Sequence, residues 1–318
     1  MKIKNILAVR NDRFGEFLLN IPSFRALKET FPDARLTIVV NPYVKELAEC
    51  IDFVDDVLAW ENKKHSLRDV LAFSKELKSG HFDLCVILNP TQEFNFISYM
   101  SGIPLRAGYD RKCAILLTKK IKDTKHLGEK HEVEYNLGLV EAVGAKTKDI
   151  SIRFGINERI ADKFSLDNGS KTIVAIHPWT SDNVKKWPAQ SFYKLAERII
   201  KELKLNIVVV GSSDEAAKSK KLFKDFNGKL LDLTGKTSLP ELAAVLRRCT
   251  CLVTADSGPM HLAASVGTPV IALFRNDIPG KTAKRWGPWG EGHIVLEAAD
   301  LRQISVAEVL EKVSLLTS

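Results

Sequence analysis

Three polar clusters in this chain stand where short apolar runs end, and their side chains are of the kinds that bind anions or move protons. The densest is Ala255-Asp256-Ser257-Gly258-Pro259-Met260-His261, after the apolar run 251–254. Ser257 or Gly258 suits a helix N-cap, and Pro259 suits the first helical position. The free amides of such a helix start carry partial positive charge and can hold a phosphate. Asp256, at the strand tip, can accept hydrogen bonds from sugar hydroxyls, and His261 falls in the first helical turn. The same residues would also make an ordinary Asp/Ser helix start beside a partly buried histidine.

The second cluster follows the run 172–176 and reads His177-Pro178-Trp179-Thr180-Ser181-Asp182-Asn183-Val184-Lys185-Lys186-Trp187-Pro188. The hydroxyls of Thr180 and Ser181, the ammonium of Lys185 and the amides of the next helix could together hold a diphosphate. The plainer alternative is surface charge ahead of a helix, with Trp187-Pro188 as a packing anchor. The third cluster, Arg10-Asn11-Asp12-Arg13-Phe14-Gly15-Glu16, follows the run 6–9. Gly15 permits a tight turn, and a carboxylate is favoured at a helix start. Glu16 is therefore either a simple helix-start carboxylate or a general base.

These clusters need elements to position them. Short β-branched runs alternate with amphipathic stretches, which is the pattern of βαβ units and a mostly parallel sheet. Strands are expected at 6–9, 36–40, 57–58 and 84–88, with helices over 16–30, bent or restarted by Pro22, and over 66–79. The pattern loosens between 150 and 170, where Asp167-Asn168-Gly169-Ser170 reads as a turn. A second series then begins. Strands are expected at 172–176, 207–210, 230–231, 251–254 and 270–273, with helices over 188–201, 214–226, 240–248, 259–266 and 306–315. The expectation is an α/β chain of two doubly wound domains, 1–160 and 161–318, with the last helix able to pack back on the first. In such sheets ligands bind beyond the carboxyl ends of the strands. Two domains set face to face would place a cleft there.

Composition narrows the function. The 318 residues suit two domains, and 45% hydrophobic with 27% charged residues is ordinary globular material. The net charge of +8 fits a phosphate-rich ligand, an anionic membrane surface or nucleic acid, or simply a solvated surface. The lysine-rich stretches, Lys119 to Lys125 and Lys218 to Lys224, lack interleaved aromatic platforms, which argues against nucleic acid. Five cysteines at scattered positions, without a C-x-x-C, read as reduced thiols in a cytoplasmic protein. The opening residues do not resemble a signal peptide, and no run approaches a membrane span. P-loop, G-x-G-x-x-G, H-E-x-x-H, Asp-x-Asp and G-x-S-x-G patterns are all missing from the sequence.

Taken in order, the segments resemble glycosyltransferase family 9, the ADP-heptose:lipopolysaccharide heptosyltransferases. The opening of the chain is similar at Ile6-Leu7-Ala8-Val9-Arg10, Phe14-Gly15-Glu16, Ile21-Pro22-Ser23-Phe24 and Phe31-Pro32-Asp33-Ala34. The middle is similar at Arg106-Ala107-Gly108-Tyr109 and His131-Glu132-Val133-Glu134-Tyr135-Asn136. The second half is similar at His177-Pro178, Lys185-Lys186-Trp187-Pro188, Leu233-Thr234-Gly235-Lys236-Thr237 and, most strongly, Asp256-Ser257-Gly258-Pro259-Met260-His261.

The resemblance implies a GT-B fold: two Rossmann-like domains facing across a cleft, acceptor on the first and nucleotide-sugar on the second. It implies inverting transfer of heptose from ADP-L-glycero-D-manno-heptose to the lipopolysaccharide inner core, with no metal or other cofactor. Lys185 with Thr180 and Ser181 would hold the diphosphate. Asp256, Ser257, Gly258 and His261 would hold sugar and phosphates, Glu215 the ribose, and Thr237 would lie on the adenine side. Lys185 and the helix amides would bear the leaving-group charge.

The chain departs from the family at two positions. Glu16 stands where the family carries Asp, so the base sits one methylene further out, and a shift on the order of 1 Å can cost about 10²-fold in rate. Asp12 is the fallback base. Trp179 replaces a frequent glycine after His-Pro, which bears on donor choice. The partners expected are a nucleotide-sugar, an acidic glycolipid acceptor and the anionic inner face of a membrane, with the protein cytoplasmic or peripheral there. The alternatives are a related enzyme using another nucleotide-sugar, epimerases included, or a non-catalytic nucleotide-sugar or glycolipid binder that has lost its base.

Overall fold

Aliphatic, β-branched runs form buried parallel strands, and the amphipathic stretches between them form the crossovers. A computed structural model describes residues 2–166, 172–180 and 182–318. The expected turn at Asp167-Asn168-Gly169-Ser170 and the candidate Ser181 lie outside these residues. The chain divides into two compact units, Met1–Ile152 and Arg153–Ser318, somewhat before the boundary expected at 160.

The first unit runs β1 (Asn5–Val9), α1 (Phe14–Leu18), α2 (Ile21–Thr30), β2 (Arg35–Val40), α3 (Lys45–Ala48), β3 (Asp56–Ala59) and α4 (Leu67–Ser79). It continues with β4 (Leu84–Ile87), α5 (Gln92–Met100), β5 (Leu105–Tyr109), β6 (Lys119–Ile121) and α6 (Glu132–Glu141). Its six strands are parallel, in the order β3-β2-β1-β4-β5-β6. Strand β1 is flanked on both sides, Ile6 lying beside Leu36 and Leu84. On one face of this sheet Val70, Phe73 and Leu77 of α4 and Phe94 and Ile97 of α5 pack against Leu7, Val9, Cys85 and Ile87.

The second unit runs β7 (Ile173–His177), α7 (Ala189–Arg198), β8 (Asn206–Val209), α8 (Ala216–Leu222), β9 (Leu230–Asp232) and α9 (Leu239–Arg247). Then come β10 (Cys251–Ala255), α10 (Gly258–Ser265), β11 (Val270–Arg275), α11 (Ala283–Trp286), β12 (Ile294–Ala298) and α12 (Val306–Thr317). The order β12-β11-β10-β7-β8-β9 repeats the arrangement of the first sheet. Trp187 is the packing anchor its sequence suggested: it is buried, lies edge-on to Phe192 at 4.8 Å, and donates its indole N–H to Ile304 O at 2.9 Å. Helix α12 packs on α7, β10 and β11 within this unit.

Several local expectations are corrected. The helix expected over 16–30 is two helices, interrupted at Asn20, with Pro22 in the first turn of the second, where a missing N–H costs nothing. Pro188 caps α7 instead of beginning it. Residues 213–215 form a 3₁₀ turn ahead of a shorter α8. Pro259 follows Gly258 as the second residue of α10, and Ser257 is its N-cap.

Four elements between 92 and 141, together with α3, α11 and β12, were not expected from the sequence. Helix α6 hides because Glu132 and Asn136 occupy its buried face, where an apolar stripe would be looked for. Strand β6 hides because it is a three-residue edge strand whose two lysines are exposed. The cysteines are all free: Cys85, Cys249 and Cys251 are buried, Cys50 is partly so and Cys113 is exposed. Burial pushes the Cys85 and Cys251 thiols up to about 12, so they are unreactive filling. No helix among the described residues is long and apolar enough to cross a membrane.

Candidate active site

In each sheet the strand order reverses beside the unit's first strand, between β1 and β4 and between β7 and β10. A crevice outside the carboxyl ends of the strands is expected at such a point. All three polar clusters fall there.

In the second unit, β7 ends on His177 and β10 on Ala255, paired so that His177 lies beside Thr254. His177 Nδ1 is 3.0 Å from Thr254 Oγ1, and its Nε2 is 3.7 Å from Glu215 Oε2. Thr254 Oγ1 is also 2.9 Å from Ser257 Oγ. That contact turns Ser257 inward, and it makes no capping bond to α10. The start of the helix is therefore left to its own amides and their partial positive charge. His261, in the first turn, is buried.

The loop after β7 crosses to the same place. Thr180 Oγ1 donates to Asp256 O at 3.5 Å, and Lys185 Nζ forms an ion pair and hydrogen bond with Asp256 Oδ2. Both partners are mostly shielded, with side-chain exposures of 21% and 11%. Asp182 caps the 3₁₀ turn Asn183–Lys185 that presents the ammonium, and its other oxygen is 3.2 Å from Lys281 Nζ. Lys185, Thr180, Asp256, Ser257 and the start of α10 are thus one cluster, assembled from segments some 70 residues apart.

Glu215 and Thr237 stand differently. Glu215 Oε2 accepts the Ser212 amide at 2.8 Å and closes a capping box. Burial pushes its pKa up, but the neighbouring His177 ring and the hydrogen bond from the Ser212 amide outweigh this and hold it below the ordinary value. Its carboxylate is ionised and lies beside the β7/β8 strand ends. Thr237 is half-buried in the turn between β9 and α9, which Gly235 anchors by donating to Gly211 O at 2.9 Å. Gly211 itself tolerates no side chain, since a Cβ there would lie within 3 Å of Trp179, Glu215 and Thr234. Trp179 is buried, with its indole against Gly211 just beyond the end of β8.

In the first unit the loop after β1 carries Arg10, Asp12 and Glu16. Arg10 is buried; its guanidinium lies 2.8 Å from Asp12 Oδ1, 3.2 Å from Leu88 O and 3.7 Å from Glu132 Oε1. Asn11 donates to Trp60 O at 3.2 Å and accepts from Asn89 at 2.8 Å. Glu16 is half-buried in the first turn of α1, and its carboxylate forms no ion pair among the described residues, the nearest charges being those of Asp12, Arg10 and Arg13. Burial, followed by the charge of Asp12, pushes its pKa above the ordinary value, against the opposing pull of Arg10 and Arg13.

The sequence reading missed the network behind Arg10. Lys125, grouped there with surface lysines, is buried and lies 2.5 Å from Glu132 Oε1, 2.8 Å from Asn136 Oδ1 and 4.6 Å above the Tyr109 ring. The available signal was the acid Glu132 four residues before an amide, both on one helical face. Breaking such a buried pair leaves the Glu132 carboxylate with a more distant cation, Arg10 at 3.7 Å, so Lys125→Met is expected to cost up to about 3–5 kcal/mol. Denaturant unfolding checks this. Adding Glu132→Gln should recover part of the loss, because the two residues are coupled.

Among the described residues, no group of three or more His, Cys, Asp or Glu side chains is placed to hold a metal ion. One unit offers an ammonium and helix amides, groups that suit an anionic ligand, and the other a carboxylate of raised basicity.

The chain is similar to known proteins over most of its length. Lipopolysaccharide heptosyltransferase 3 of Escherichia coli K12 is 24% identical, over 94% of this chain and 89% of that one. Among solved structures, a family 9 glycosyl transferase from Veillonella parvula superposes with a TM-score of 0.87 at 22% identity, covering 100% and 98% of the two chains. E. coli ADP-heptose LPS heptosyltransferase II superposes with a TM-score of 0.86 at 18% identity, covering 98% of each. The fold is therefore the two-Rossmann-unit GT-B fold of these enzymes. The sequence profile of glycosyltransferase family 9 (heptosyltransferase) matches residues 70–310, which include the whole Lys185–Asp256 cluster. The chain belongs to glycosyltransferase family 9 and is a glycosyltransferase.

Proposed function

We propose that the protein transfers heptose from ADP-L-glycero-D-manno-heptose to a lipopolysaccharide inner-core acceptor, with inversion and without a metal ion. The carrying observation is the convergence of Lys185, Thr180 and Asp256 on the start of α10 at the β7/β10 crevice. A diphosphate there meets an ammonium and uncapped amides, the charge arrangement that stabilises a departing anion. Asp256 and His261 bind the sugar side, Glu215 the ribose hydroxyls and Thr237 the adenine side. Ser257 Oγ is turned to Thr254, so Ser257 and Gly258 contribute backbone amides.

Inversion needs one base, which removes the acceptor hydroxyl's proton as that oxygen attacks the anomeric carbon from the face opposite the diphosphate. Glu16 supports this role better than Asp12. Its carboxylate is in no ion pair and is more basic than usual, whereas Asp12 is committed to Arg10. The protein acts on the cytoplasmic side of an anionic membrane, where an acidic glycolipid acceptor is held.

Calorimetric titration tests the donor. ADP-heptose is expected to bind, UDP-sugars at least about tenfold more weakly, and neither result should change in EDTA. A specific observation supports a second reading, a different sugar on the nucleotide: the Trp179 indole buried against Gly211. A clear preference for another nucleotide-sugar would favour it. Loss of turnover in EDTA, restored by a divalent ion, would remove the metal-free mechanism.

A further inference from the structure

The first unit exposes large apolar side chains on a stretch of chain, 99–122, that is also rich in basic residues. Ile115 is 87% exposed, and Tyr99, Met100 and Leu105 are 51%, 42% and 40% exposed. Single exposed apolar residues are ordinary, but these four stand on segments that pack together, α5 and β5 each lying against the turn Ala114–Leu116. Arg106 ties their segments together: its guanidinium stacks 5.5 Å from the Tyr99 ring, its Nε donates to Leu116 O at 2.8 Å, and Nη1 bonds Ile103 O. The turn leading to Ile115 is held open by two successive non-glycine residues with positive φ, Lys112 at 56° and Cys113 at 63°, a conformation rare outside glycine. Asn95, buried in α5, fixes it by donating to Lys112 O at 2.6 Å.

Charge along this stretch is uneven. From residue 99 to 122 the chain has six basic residues, Arg106, Arg111, Lys112, Lys119, Lys120 and Lys122, against one acid, Asp110. That surplus of five accounts for most of the chain's net +8. The four lysines are exposed and have no acidic partner among the described residues, while Arg111 is tied to Asp123 at 2.8 Å. Two of them lie on β6, the open edge of the sheet, and lysines along an edge repel a second copy that would add a strand there.

We propose that this patch docks the protein on an anionic lipid surface, with Ile115 and its neighbours entering the headgroup layer and the lysines meeting lipid phosphates. This rests on the membrane-held acceptor of the reading above and names the surface that would reach it. Apolar insertion with a basic rim is the arrangement expected of peripheral binding. Each lysine near such a surface contributes roughly fivefold in affinity.

The test is co-sedimentation of the full chain with vesicles of phosphatidylcholine alone and of equimolar phosphatidylcholine and phosphatidylglycerol. Binding is expected only to the anionic vesicles, weakening with salt. Lys119→Gln with Lys120→Gln should weaken it on the order of thirtyfold, and Ile115→Ser by several-fold, whereas Lys218→Gln with Lys220→Gln, in the second unit, should change it little. The proposal is overturned by equal binding to neutral vesicles, by no binding, or by equal losses from both lysine pairs, which would make net charge alone responsible. It is also overturned if ultracentrifugation shows a dimer that Ile115→Ser dissociates. Donor calorimetry on the same preparations separates the two readings, since intact ADP-heptose binding without vesicle binding removes only the docking surface.

Discussion

Replacing Glu16 with Gln should lower turnover by about 10²–10⁴-fold, the contribution of a positioned general base, while leaving the fold at least as stable. The two outcomes share one cause. Burial and the charge of Asp12 raise the Glu16 pKa in the folded chain. The folded state therefore holds this proton to higher pH than the unfolded chain does. Stability contributed by the protonated form is present below the unfolded value and is lost as pH rises through the raised value. Above that window the ionised carboxylate costs stability, and glutamine removes the cost without changing shape. Activity runs the opposite way, because the base must be ionised, so kcat/KM should fall as pH drops through the same raised value. Asp12→Asn should lower turnover less and destabilise more, since it leaves the buried Arg10 without its 2.8 Å partner. Steady-state pH profiles and thermal unfolding of both variants provide the check. Unchanged turnover in Glu16→Gln, with loss in Asp12→Asn, would transfer the role to Asp12.

Lys185→Ala should lower kcat/KM by about 10²–10³-fold, the cost of removing one donor from a preorganised anion site. Donor affinity should fall as well. The physical reason is double. The diphosphate loses its ammonium, and Asp256 loses the ion pair that it makes with that ammonium in the free protein, so its carboxylate repels the anion more strongly. Adding Asp256→Asn to Lys185→Ala should therefore recover some nucleotide affinity, most visibly for ADP, whose binding does not depend on a sugar contact. Lys185→Arg should lose less than Lys185→Ala, because it keeps the charge. Calorimetry with ADP and ADP-heptose separates the diphosphate contribution from that of the sugar. An alanine variant that binds both as tightly as the unaltered chain would place the diphosphate elsewhere.

The α/β class, the two-unit division and the three polar loops were legible because each rests on local rules. Parallel strands buried on both faces must be apolar runs, as in 251–255, all of it buried. Helix starts announce themselves by Ser, Gly and Pro, as at Ser257-Gly258-Pro259. Signals failed where a residue's role is met by a distant partner. Glu132 and Asn136 disguise α6 as a polar loop, and only the burial of Lys125 against them makes sense of their positions. Lys119 and Lys120 disguise β6, because an edge strand can be charged.

What the sequence by itself determined is the set of chemical groups and the strand ends they follow: Glu16 after β1, Lys185 after β7, Asp256 after β10. Their division of labour was decided by tertiary structure alone. Arg10 takes Asp12 and leaves Glu16 with a raised pKa, and Lys185 crosses from one strand's loop to the aspartate of another. A pKa and an ion pair depend on distances in space and on exclusion of water, and neither quantity is carried by spacing along the chain.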